Sequence, residues 1–326
     1  MVDVGVDLGT ANTVVCHPRD GVIFDEPSVM LLRRGARREV LVGHEAASLE
    51  GRTSPRARSR RPLRGGVITD LEAARTYVRA VAERVAGRQW RWRRLGAVMG
   101  VPLGATPLER RALTEAAEEA GMSHVTLLPE PIAGALGCGL DPMERRVHLV
   151  VDVGGGTAEI AAFCWGEVLV ARSTRQAGDE MTTAVRWHLR EAHDLVVDER
   201  GAEDIKIRAS VDGGEVVAGG SDARTGRPRL VPVSAEEIDE ALRPVVRGVV
   251  TALTSCLEEL PPQATQDVLA GGVLLLGGGS LVPGLRGDLE KALGFPVKHV
   301  DRPLTCVAEG LAAAVAAPAV RRSYGS

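Results

Sequence analysis

The chain has 326 residues, with 43 acidic against 40 basic side chains and a formal net charge of −3. Apolar residues make up 44% and charged residues 25%, a globular composition that excludes an intrinsically disordered chain. A chain of this length exceeds what one compact core usually holds, so we expect two lobes or domains. Three Phe, two Tyr and four Trp are the only aromatic residues, so the core must consist mainly of Leu, Val and Ala.

Positive charge is concentrated in the first part of the chain. Residues 1–100 hold 18 Arg and 11 acidic residues, a balance of +7, which leaves −10 for the rest. A basic segment of this kind can face an anionic surface such as lipid headgroups or nucleic acid, but it can equally be a solvated face. The charge alone does not choose between these alternatives.

The cysteines and histidines form no recognisable pattern of metal ligands or disulfides. Five widely spaced cysteines predict buried thiols in a reducing compartment. His188 and His193 are five residues apart, a spacing that does not place two side chains on one helix face. The N-terminus enters a strand without a signal peptide, and the longest uncharged run, 268–285, is interrupted by glycine and proline. We therefore expect a cytoplasmic or membrane-peripheral protein.

Two segments of the chain repeat one pattern. Residues 4–13 and 149–159 each contain an apolar strand that ends in Asp, a glycine-containing turn with Thr, and a second apolar strand. The two aspartates are Asp7 and Asp152. A repeat at this spacing predicts duplicated α/β lobes whose strand pairs face each other.

Further helices and strands are predicted between and after the two repeats. In chain order they are a helix near 71–86, a strand over 96–101, a helix over 107–120, a helix near 179–192 and a small accessory subdomain or hairpin over 211–229. Ser234 and Glu237 form a capping box for a long amphipathic helix whose apolar residues recur every three or four positions. A strand over 273–276 and an Ala-rich helix over 307–315 complete the pattern.

The two repeated turns have the composition of a clamp for a nucleoside triphosphate. Glycine lets backbone N–H groups approach phosphate oxygens, and short polar side chains add donors. The predicted phosphate-binding residues are Gly9, Thr10, Ala11, Asn12, Thr13, Gly154, Gly155, Gly156 and Thr157. Asp7 and Asp152 would hold Mg²⁺ through water, because this ion dehydrates reluctantly. A single turn of this kind is usually only a turn, but two copies favour the functional interpretation.

A third glycine loop, formed by Gly277, Gly278, Gly279 and Ser280, follows the strand over 273–276. It is either a strand-to-helix turn that requires positive φ, or a backbone wall against which an adenine ring lies. Three consecutive glycines exceed the needs of a turn, so we favour the wall.

Glu130 lies between Pro129 and Pro131, just before a helical run. Two flanking prolines fix the backbone, so the carboxylate is rigidly aimed. Such a glutamate can orient a water molecule for attack on a terminal phosphate, or it can simply favour a helix N-terminus. From the residues alone these two interpretations are equal.

Several motifs together resemble the bacterial actin family MreB/Mbl. They occur in order from residue 3 to about 316 and comprise residues 7–13, 26–29, 61–68, 100–102, 152–157, 178–181 and 277–281. The resemblance implies an α/β protein of actin-like fold, with two duplicated α/β lobes around a nucleotide cleft and a small accessory subdomain on each. The implied domains are 1–31 with 65–146 and 303–326 (IA), 32–64 (IB), 147–182 with 236–302 (IIA), and 183–235 (IIB).

The resemblance also implies function and residue roles. It implies an ATP- and Mg²⁺-binding protein, a slow ATPase, that forms filaments with itself on the inner face of the cell membrane and organises cell-wall synthesis proteins. Asp7, Asp152 and Glu130 match the catalytic carboxylates, of which Glu130 positions water. Gly178 and Asp179 match nucleotide-binding positions, and Glu203 and Lys206 match the helix that contacts the nucleoside. Without the resemblance, Glu203 and Lys206 would be an ordinary helical i,i+3 pair.

Two departures from the family pattern concern hydrolysis. Pro129 stands where the family usually has an acidic residue, and Gly134 replaces an expected Ala, which loosens the helix by about 1 kcal/mol. Both changes are compatible with nucleotide binding and weak turnover. The alternative function is therefore a wall-associated nucleotide-binding scaffold with little hydrolysis or polymerisation.

Residues 88–94 alternate tryptophan with arginine, and Trp90 and Trp92 are half of all tryptophans in the chain. Exposed Trp with Arg suits an anionic bilayer interface, and the segment falls where MreB relatives carry a membrane-insertion loop. The alternative is a strand whose Trp side chains pack inward. We favour the membrane contact.

Three other functions are disfavoured. The Arg-rich run 52–64 lacks interleaved aromatic residues and a base-reading motif, so no nucleic-acid partner is expected. A small-molecule kinase of the same superfamily would need a second cleft with sugar-binding residues. A chaperone of that superfamily would need an added substrate domain.

Overall fold

The computed structural model describes residues 2–33, 39–52, 57–86 and 95–326. In the first half of the described chain the elements are β1 (Val2–Leu8), β2 (Asn12–His17), β3 (Gly21–Pro27), β4 (Met30–Arg33), β5 (Glu39–Val42), α1 (Gly43–Leu49), β6 (Ala57–Arg60), β7 (Leu63–Arg64), β8 (Val67–Ile68), α2 (Leu71–Ala86), β9 (Leu95–Val101), α3 (Pro107–Glu119), β10 (Met122–Pro129) and α4 (Glu130–Gly137).

In the second half they are β11 (His148–Val153), β12 (Ala158–Cys164), β13 (Glu167–Thr174), α5 (Gly178–His193), β14 (Leu195–Val196), α6 (Glu199–Asp212), β15 (Glu215–Asp222), β16 (Pro228–Ser234), α7 (Ala235–Glu258), α8 (Pro262–Gly271), β17 (Val273–Leu276), a short 3₁₀ helix (Gly278–Leu281), α9 (Leu285–Leu293), β18 (Val297–His299), α10 (Cys306–Val315) and α11 (Pro318–Tyr324).

Two five-stranded sheets share one topology. The first has the order β10-β9-β1-β2-β3 and the second has the order β18-β17-β11-β12-β13. In each sheet the first three strands along the chain are antiparallel, and the two strands that follow are parallel to the first. The predicted duplication of α/β lobes is therefore confirmed.

The register places the repeated aspartates at equivalent positions. Asp7 lies opposite Val14 across the first hairpin, and Asp152 lies opposite Glu159 across the second. Each aspartate is thus one residue short of the turn, at the carboxyl end of a central strand. In open α/β sheets this edge is where ligands bind.

Each lobe carries a smaller three-stranded sheet. Strands β5, β4 and β6 form one of them, and strands β14, β15 and β16 form the other. The hairpin of β15 and β16 begins within the predicted accessory segment 211–229 but extends five residues beyond it, to Ser234. The four domain boundaries given above stay a prediction.

Helix starts follow the predicted caps. Thr106 and Glu109 form a capping box with Pro107 in the first turn of α3, and Ser234 and Glu237 form one at α7. The predicted apolar face of α7 is buried, at Ile238, Leu242, Val245, Val249, Leu253 and Cys256. No helix among the described residues combines the length and apolarity that crossing a bilayer requires.

The two lobes are joined where α4 crosses α10. Helix α4 leads from the first sheet into the second, and α10 returns from the second sheet to pack on β1. A methyl group on Gly137 would overlap the carbonyl of Cys306, and one on Gly310 would overlap the carbonyl of Ala133. The helix backbones therefore touch directly, which only glycine at these positions permits.

Candidate functional site

A cleft lies between the turns of the two repeated hairpins. Its lining residues come from both lobes: Asp7, Gly9, Thr10, Ala11, Asn12, Val14, Gly66, Pro102, Glu130, Asp152, Gly154, Gly155, Gly156, Thr157, Gly277, Gly278, Pro303, Leu304 and Val307 are among them. The turns come very close: a Cβ on Gly155 would lie 3.0 Å from the Cβ of Ala11. A Cβ on Gly156 would overlap the backbone of Gly66. The structure thus brings the two predicted phosphate turns together.

The first turn, which contains Gly9 and Ala11, is fixed by hydrogen bonds from the buried Ser28. The Ser28 hydroxyl donates to the carbonyl of Gly9 (2.6 Å), and its backbone N–H donates to the carbonyl of Ala11 (2.8 Å). The Thr10 hydroxyl accepts from the N–H of Gly66 (3.0 Å), which leaves its own proton free to donate into the cleft. These bonds fix the turn before any ligand arrives.

The side chain of Thr13, one of the predicted phosphate-binding residues, points away from the cleft. Its side chain is 1% exposed, and its hydroxyl contacts the hydroxyls of Ser28 (2.8 Å) and Tyr77 (2.9 Å). Side chains alternate along β2, so Asn12 is exposed at the cleft while Thr13 points to the opposite face. Thr13 anchors the first hairpin to α2 instead of lining the cleft.

The second turn is joined to the N-terminus of α5. The N–H of Gly178 donates to the carbonyl of Gly154 (3.1 Å), and the N–H of Asp179 donates to the carbonyl of Gly155 (2.7 Å). Gly178 and Asp179 are thus the first two residues of a long helix that starts directly on the turn. Burial raises the pKa of the Asp179 carboxyl. The positive end of the helix dipole here favours an anion in the cleft.

Glu203 and Lys206 form the helical pair that their spacing predicted. The Lys206 ammonium lies 2.6 Å from the Glu203 carboxylate and is only 6% exposed. It also donates to the carbonyl of Gly178 and the hydroxyl of Thr182, both at 3.1 Å, and this hydroxyl contacts the Glu203 carboxylate. The pair fixes α6 on the N-terminus of α5, one layer behind the second phosphate turn.

The third glycine loop requires a positive φ angle and also lines the cleft, and its contact with an adenine ring stays a prediction. Gly277 has φ +84°, and a side chain there would overlap Asp152. A Cβ on Gly279 would lie 2.9 Å from the carbonyl of Val153. Gly278 is exposed and lines the cleft, whereas the Ser280 hydroxyl is buried and donates to the carbonyl of Gly277 (2.6 Å). The loop needs positive φ and also forms one wall of the cleft.

Four carboxylates gather at the floor of the cleft. Burial, then the negative charge of Asp25, raises the pKa of Asp7 to about 7. Burial, then Asp7, raises the pKa of Asp152 well above its usual range. The pKa of Glu130 is also raised well above its usual range, by burial and then by Glu159, Asp7 and Asp152. Such mutual repulsion marks a site that suits a cation.

Mg²⁺ fits this set of ligand atoms. The ion prefers carboxylate oxygens and water, and a divalent charge would allow the crowded carboxylates to ionise together. Asp7 and Asp152 are the residues that would hold it, because they end the central strands of the two lobes.

Glu159 is a member of the site that the sequence analysis did not select. It is 1% exposed, burial raises its pKa to about 7, and its carboxylate accepts from the N–H of Leu103 (3.0 Å) in the other lobe. The usable signal was a lone charge in the otherwise apolar strand over Ala158–Cys164. A charge in a buried strand destabilises the fold unless a partner compensates it. A charge without an evident partner in the sequence is therefore a candidate functional residue.

The predicted membrane residues Trp90 and Trp92 lie outside the described residues, so their role stays a prediction.

Two duplicated sheets, with aspartate-terminated hairpins facing each other across a cleft, define an actin-like protein. The chain belongs to the MreB/Mbl family: the model of the MreB/Mbl protein family matches residues 1–321. It is 35% identical over 315 residues to the cell shape-determining protein Mbl of Bacillus subtilis, covering 94% of each chain. It is 36% identical over 317 residues to the cell shape-determining protein MreB of Escherichia coli K12, covering 94% of this chain and 91% of the relative.

Solved structures agree with this assignment. MreB5 of Spiroplasma citri bound to ADP superposes with a TM-score of 0.88 at 28% identity, covering 97% of each chain. The same protein bound to AMPPNP gives a TM-score of 0.87, covering 97% of this chain and 96% of the other. The MamK double helical filament has a TM-score of 0.82 at 22% identity, covering 97% of this chain and 98% of that one, which supports the fold alone. The predicted actin-like fold is confirmed.

Proposed function

We propose that the chain is an ATP-binding actin homologue that assembles into filaments on the inner face of the cell membrane and helps to determine cell shape by organising wall synthesis. The observation that carries this proposal is the junction of the two predicted phosphate turns beside four carboxylates whose pKa values are raised. The relatives of this chain that are named as cell shape-determining proteins support the cellular role.

ATP with Mg²⁺ is the proposed ligand of the cleft. The matching MreB5 structures contain ADP and AMPPNP, which supports an adenine nucleotide. The first turn, the second turn and the α5 N-terminus would bind the phosphates, and the exposed Gly278 wall would face the adenine. Glu203 and Lys206 would hold α6 in place on the side of the cleft where the nucleoside would bind. When bound, Mg·ATP supplies a terminal phosphate whose charge the metal partly neutralises.

Slow hydrolysis is part of the proposal, with Glu130 orienting the attacking water. The two departures from the family pattern do not disturb this helix. Pro129 ends β10 in extended geometry, and Glu130 begins α4 directly after it. A Cβ on Gly134 would lie 2.9 Å from the Leu276 side chain, so glycine here accommodates close packing of α4 on β17. A wall-associated scaffold that binds ATP with little hydrolysis or polymerisation is the alternative, favoured only by those departures.

Contacts between the two lobes across the cleft would couple nucleotide binding to filament assembly. Arg61 lies 3.6 Å from Glu199 on the opposite accessory part, and Arg200 donates to the carbonyl of Ala47. Together with the Glu159 bond to Leu103, they join the two lobes across the cleft. A ligand that touches both turns would favour closure, and a closed subunit would favour filament contacts.

Nucleotide binding is tested with Asp152→Asn. The substitution keeps the shape of the side chain but removes the charge that would hold Mg²⁺, so we expect affinity for Mg·ATP to fall at least about a hundredfold. The control is Asp20→Asn, on the exposed β2–β3 turn. Titration with a fluorescent ATP analogue measures both; unchanged affinity in Asp152→Asn would overturn the assignment of this site.

A further inference from the structure

Two histidines and a glutamate converge where α5 ends and α7 begins. The Nε2 atom of His193 lies 3.1 Å from Oε1 of Glu237, and Nε2 of His188 lies 3.7 Å from the same oxygen. One ligand atom from each residue lies within 4.8 Å of the other two. The spacing of five residues had suggested that the histidines diverge, because five helical steps turn about 140°. That expectation is wrong, since both rings lean towards one oxygen on the neighbouring helix.

The carboxylate is held in place before any ion binds. Its Oε2 atom accepts from the backbone N–H of Ser234 (3.0 Å) and contacts the hydroxyl of the same serine (3.4 Å), as part of the α7 capping box. Its Oε1 atom is thereby presented to the two imidazoles. Metal ligands are usually oriented by hydrogen bonds of this kind from a neighbouring shell of residues.

One imidazole nitrogen in the cluster is unused. Nε2 of His188 is buried and makes no hydrogen bond to any described residue. The two rings pack edge to face, with centroids 5.9 Å apart, so both Nε2 atoms lie on the side of Glu237. A tetrahedral ion with bonds of about 2.0 Å separates its ligand atoms by about 3.3 Å. The two Nε2 atoms lie 3.1 Å and 3.7 Å from Oε1 of Glu237, and all three ligand atoms lie within 4.8 Å of one another. Small side-chain rotations would complete such a site.

We propose that His188, His193 and Glu237 bind a divalent transition-metal ion, with Zn²⁺ as the best match and water as the fourth ligand. Two imidazoles and one carboxylate are ligands typical of Zn²⁺, whereas Mg²⁺ prefers oxygen ligands alone. The site is separate from the nucleotide cleft, since none of these three residues lines it.

The position of the ion in the fold suggests what it would do. The chain leaves α5 at His193, forms the three-stranded sheet of β14, β15 and β16, and returns at Ser234. An ion held by both helices would clamp the two stems of this insertion together. It would therefore stabilise the accessory sheet against α5 and α7 without contact to the nucleotide.

The test is binding of Zn²⁺ to the purified full-length chain, by isothermal titration calorimetry and by thermal unfolding with and without EDTA. We expect one ion per chain, with a rise in the unfolding temperature that EDTA reverses and that Mg²⁺ does not reproduce. Co²⁺ should give the absorption of a four-coordinate site. His188→Ala and His193→Ala should each weaken binding at least about tenfold.

Two further variants separate the site from other zinc-binding groups. His124→Ala removes an exposed histidine of β10 and should bind Zn²⁺ as the wild type does. Glu237→Gln keeps an acceptor for Ser234, so the helix cap persists, but it should bind the ion more weakly. Circular dichroism and ATP affinity report folding of all variants. Absence of zinc binding to the wild type, or wild-type affinity in both histidine variants, would overturn the proposal.

Discussion

Glu159 links the two lobes through a single buried carboxylate. It sits on β12 at the position that Val14 occupies in the first hairpin, so the duplication is broken at this residue. Its charge is nearly excluded from water and lies beside those of Glu130 and Asp152. The residue is therefore unfavourable for stability when the cleft holds no cation, and we infer that it is kept for the chemistry of the cleft.

A prediction follows for Glu159→Gln in nucleotide-free protein treated with a chelator. The folded state raises the pKa of Glu159 from 4.5 to about 7, so the carboxyl binds its proton more tightly when folded. The loss of unfolding free energy that Glu159 causes is absent below about pH 4.5, grows as the pH rises, and is complete above about pH 7. Glutamine keeps the acceptor for Leu103 without the charge. We expect the unfolding free energy of Glu159→Gln to exceed that of the wild type by up to about 3 kcal/mol at pH 8.

Urea denaturation at several pH values measures this difference in unfolding free energy. The gain should shrink steadily as the pH falls from 8 towards 5, because the wild-type carboxyl becomes protonated. A difference that does not change with pH, or a loss of stability at pH 8, would contradict the electrostatic account of Glu159.

Some residues of the cleft and of the histidine cluster were predictable from the sequence, and others were not. Asp7 and Asp152 were predictable because a glycine turn after an apolar strand defines their position. The buried position of the Thr13 side chain was not predictable, because a motif does not tell which face of β2 a side chain occupies. His188 and His193 were missed because Glu237, the group that draws them together, comes from another helix.

At the scale of elements, the crossing of α4 and α10 is the tightest helix contact described. Gly137 and Gly310 remove the side chains that would separate the two backbones, and Gly5 does the same between β1 and α10. Both helices lie on the chain paths that connect the lobes. Close backbone packing at this point therefore fixes how α4 and α10 cross between the lobes.

Gly310→Ala tests the crossing. Its Cβ would overlap the carbonyl of Ala133, a backbone atom that no side-chain rotation can move away. We expect a loss of about 3 kcal/mol in unfolding free energy, the upper end of the usual cost of overpacking. The matched control is Gly287→Ala in α9, where a Cβ would meet nothing within 4 Å and should stabilise the helix by about 0.5–1 kcal/mol. Thermal and urea denaturation compare the two; equal stability of both variants would refute the close crossing.

Elements with strong local signals were predictable from the sequence. Helix α2 was expected near 71–86 and spans Leu71–Ala86, and α7 begins at its predicted capping box. The first accessory sheet was not predicted strand by strand, because β5 and β6 are short and lie beside arginine-rich sequence. Their apolar faces are too brief for periodicity to show.

At the scale of the whole molecule, the repeat of two hairpins was enough to predict two lobes around a cleft. What it did not reveal were the contacts that close the cleft, such as Arg61 with Glu199. These form between residues far apart in the chain, and each residue alone has the pattern of an exposed charge. Surface pairs of this kind contribute only about 0–1 kcal/mol, so they bias closure without locking it.

The proposed membrane attachment is tested with Trp90→Ala/Trp92→Ala. We expect polymers of this variant to pellet with anionic liposomes at least about fivefold less than wild type, because indole rings contribute much of an interfacial contact. The control is Trp187→Ala, which removes an exposed tryptophan from α5. Equal co-sedimentation of all three proteins would exclude the tryptophan pair as the membrane contact.

Nucleotide-dependent assembly is the central claim, and sedimentation with negative-stain imaging tests it most directly. We predict that Mg·ATP produces filaments that pellet, in the presence or absence of lipid, and that phosphate release accompanies them slowly. Asp152→Asn should stay in the supernatant, whereas Asp20→Asn should pellet as the wild type does. Tight binding of ATP by the wild type with no filaments under any salt or lipid condition would contradict the account.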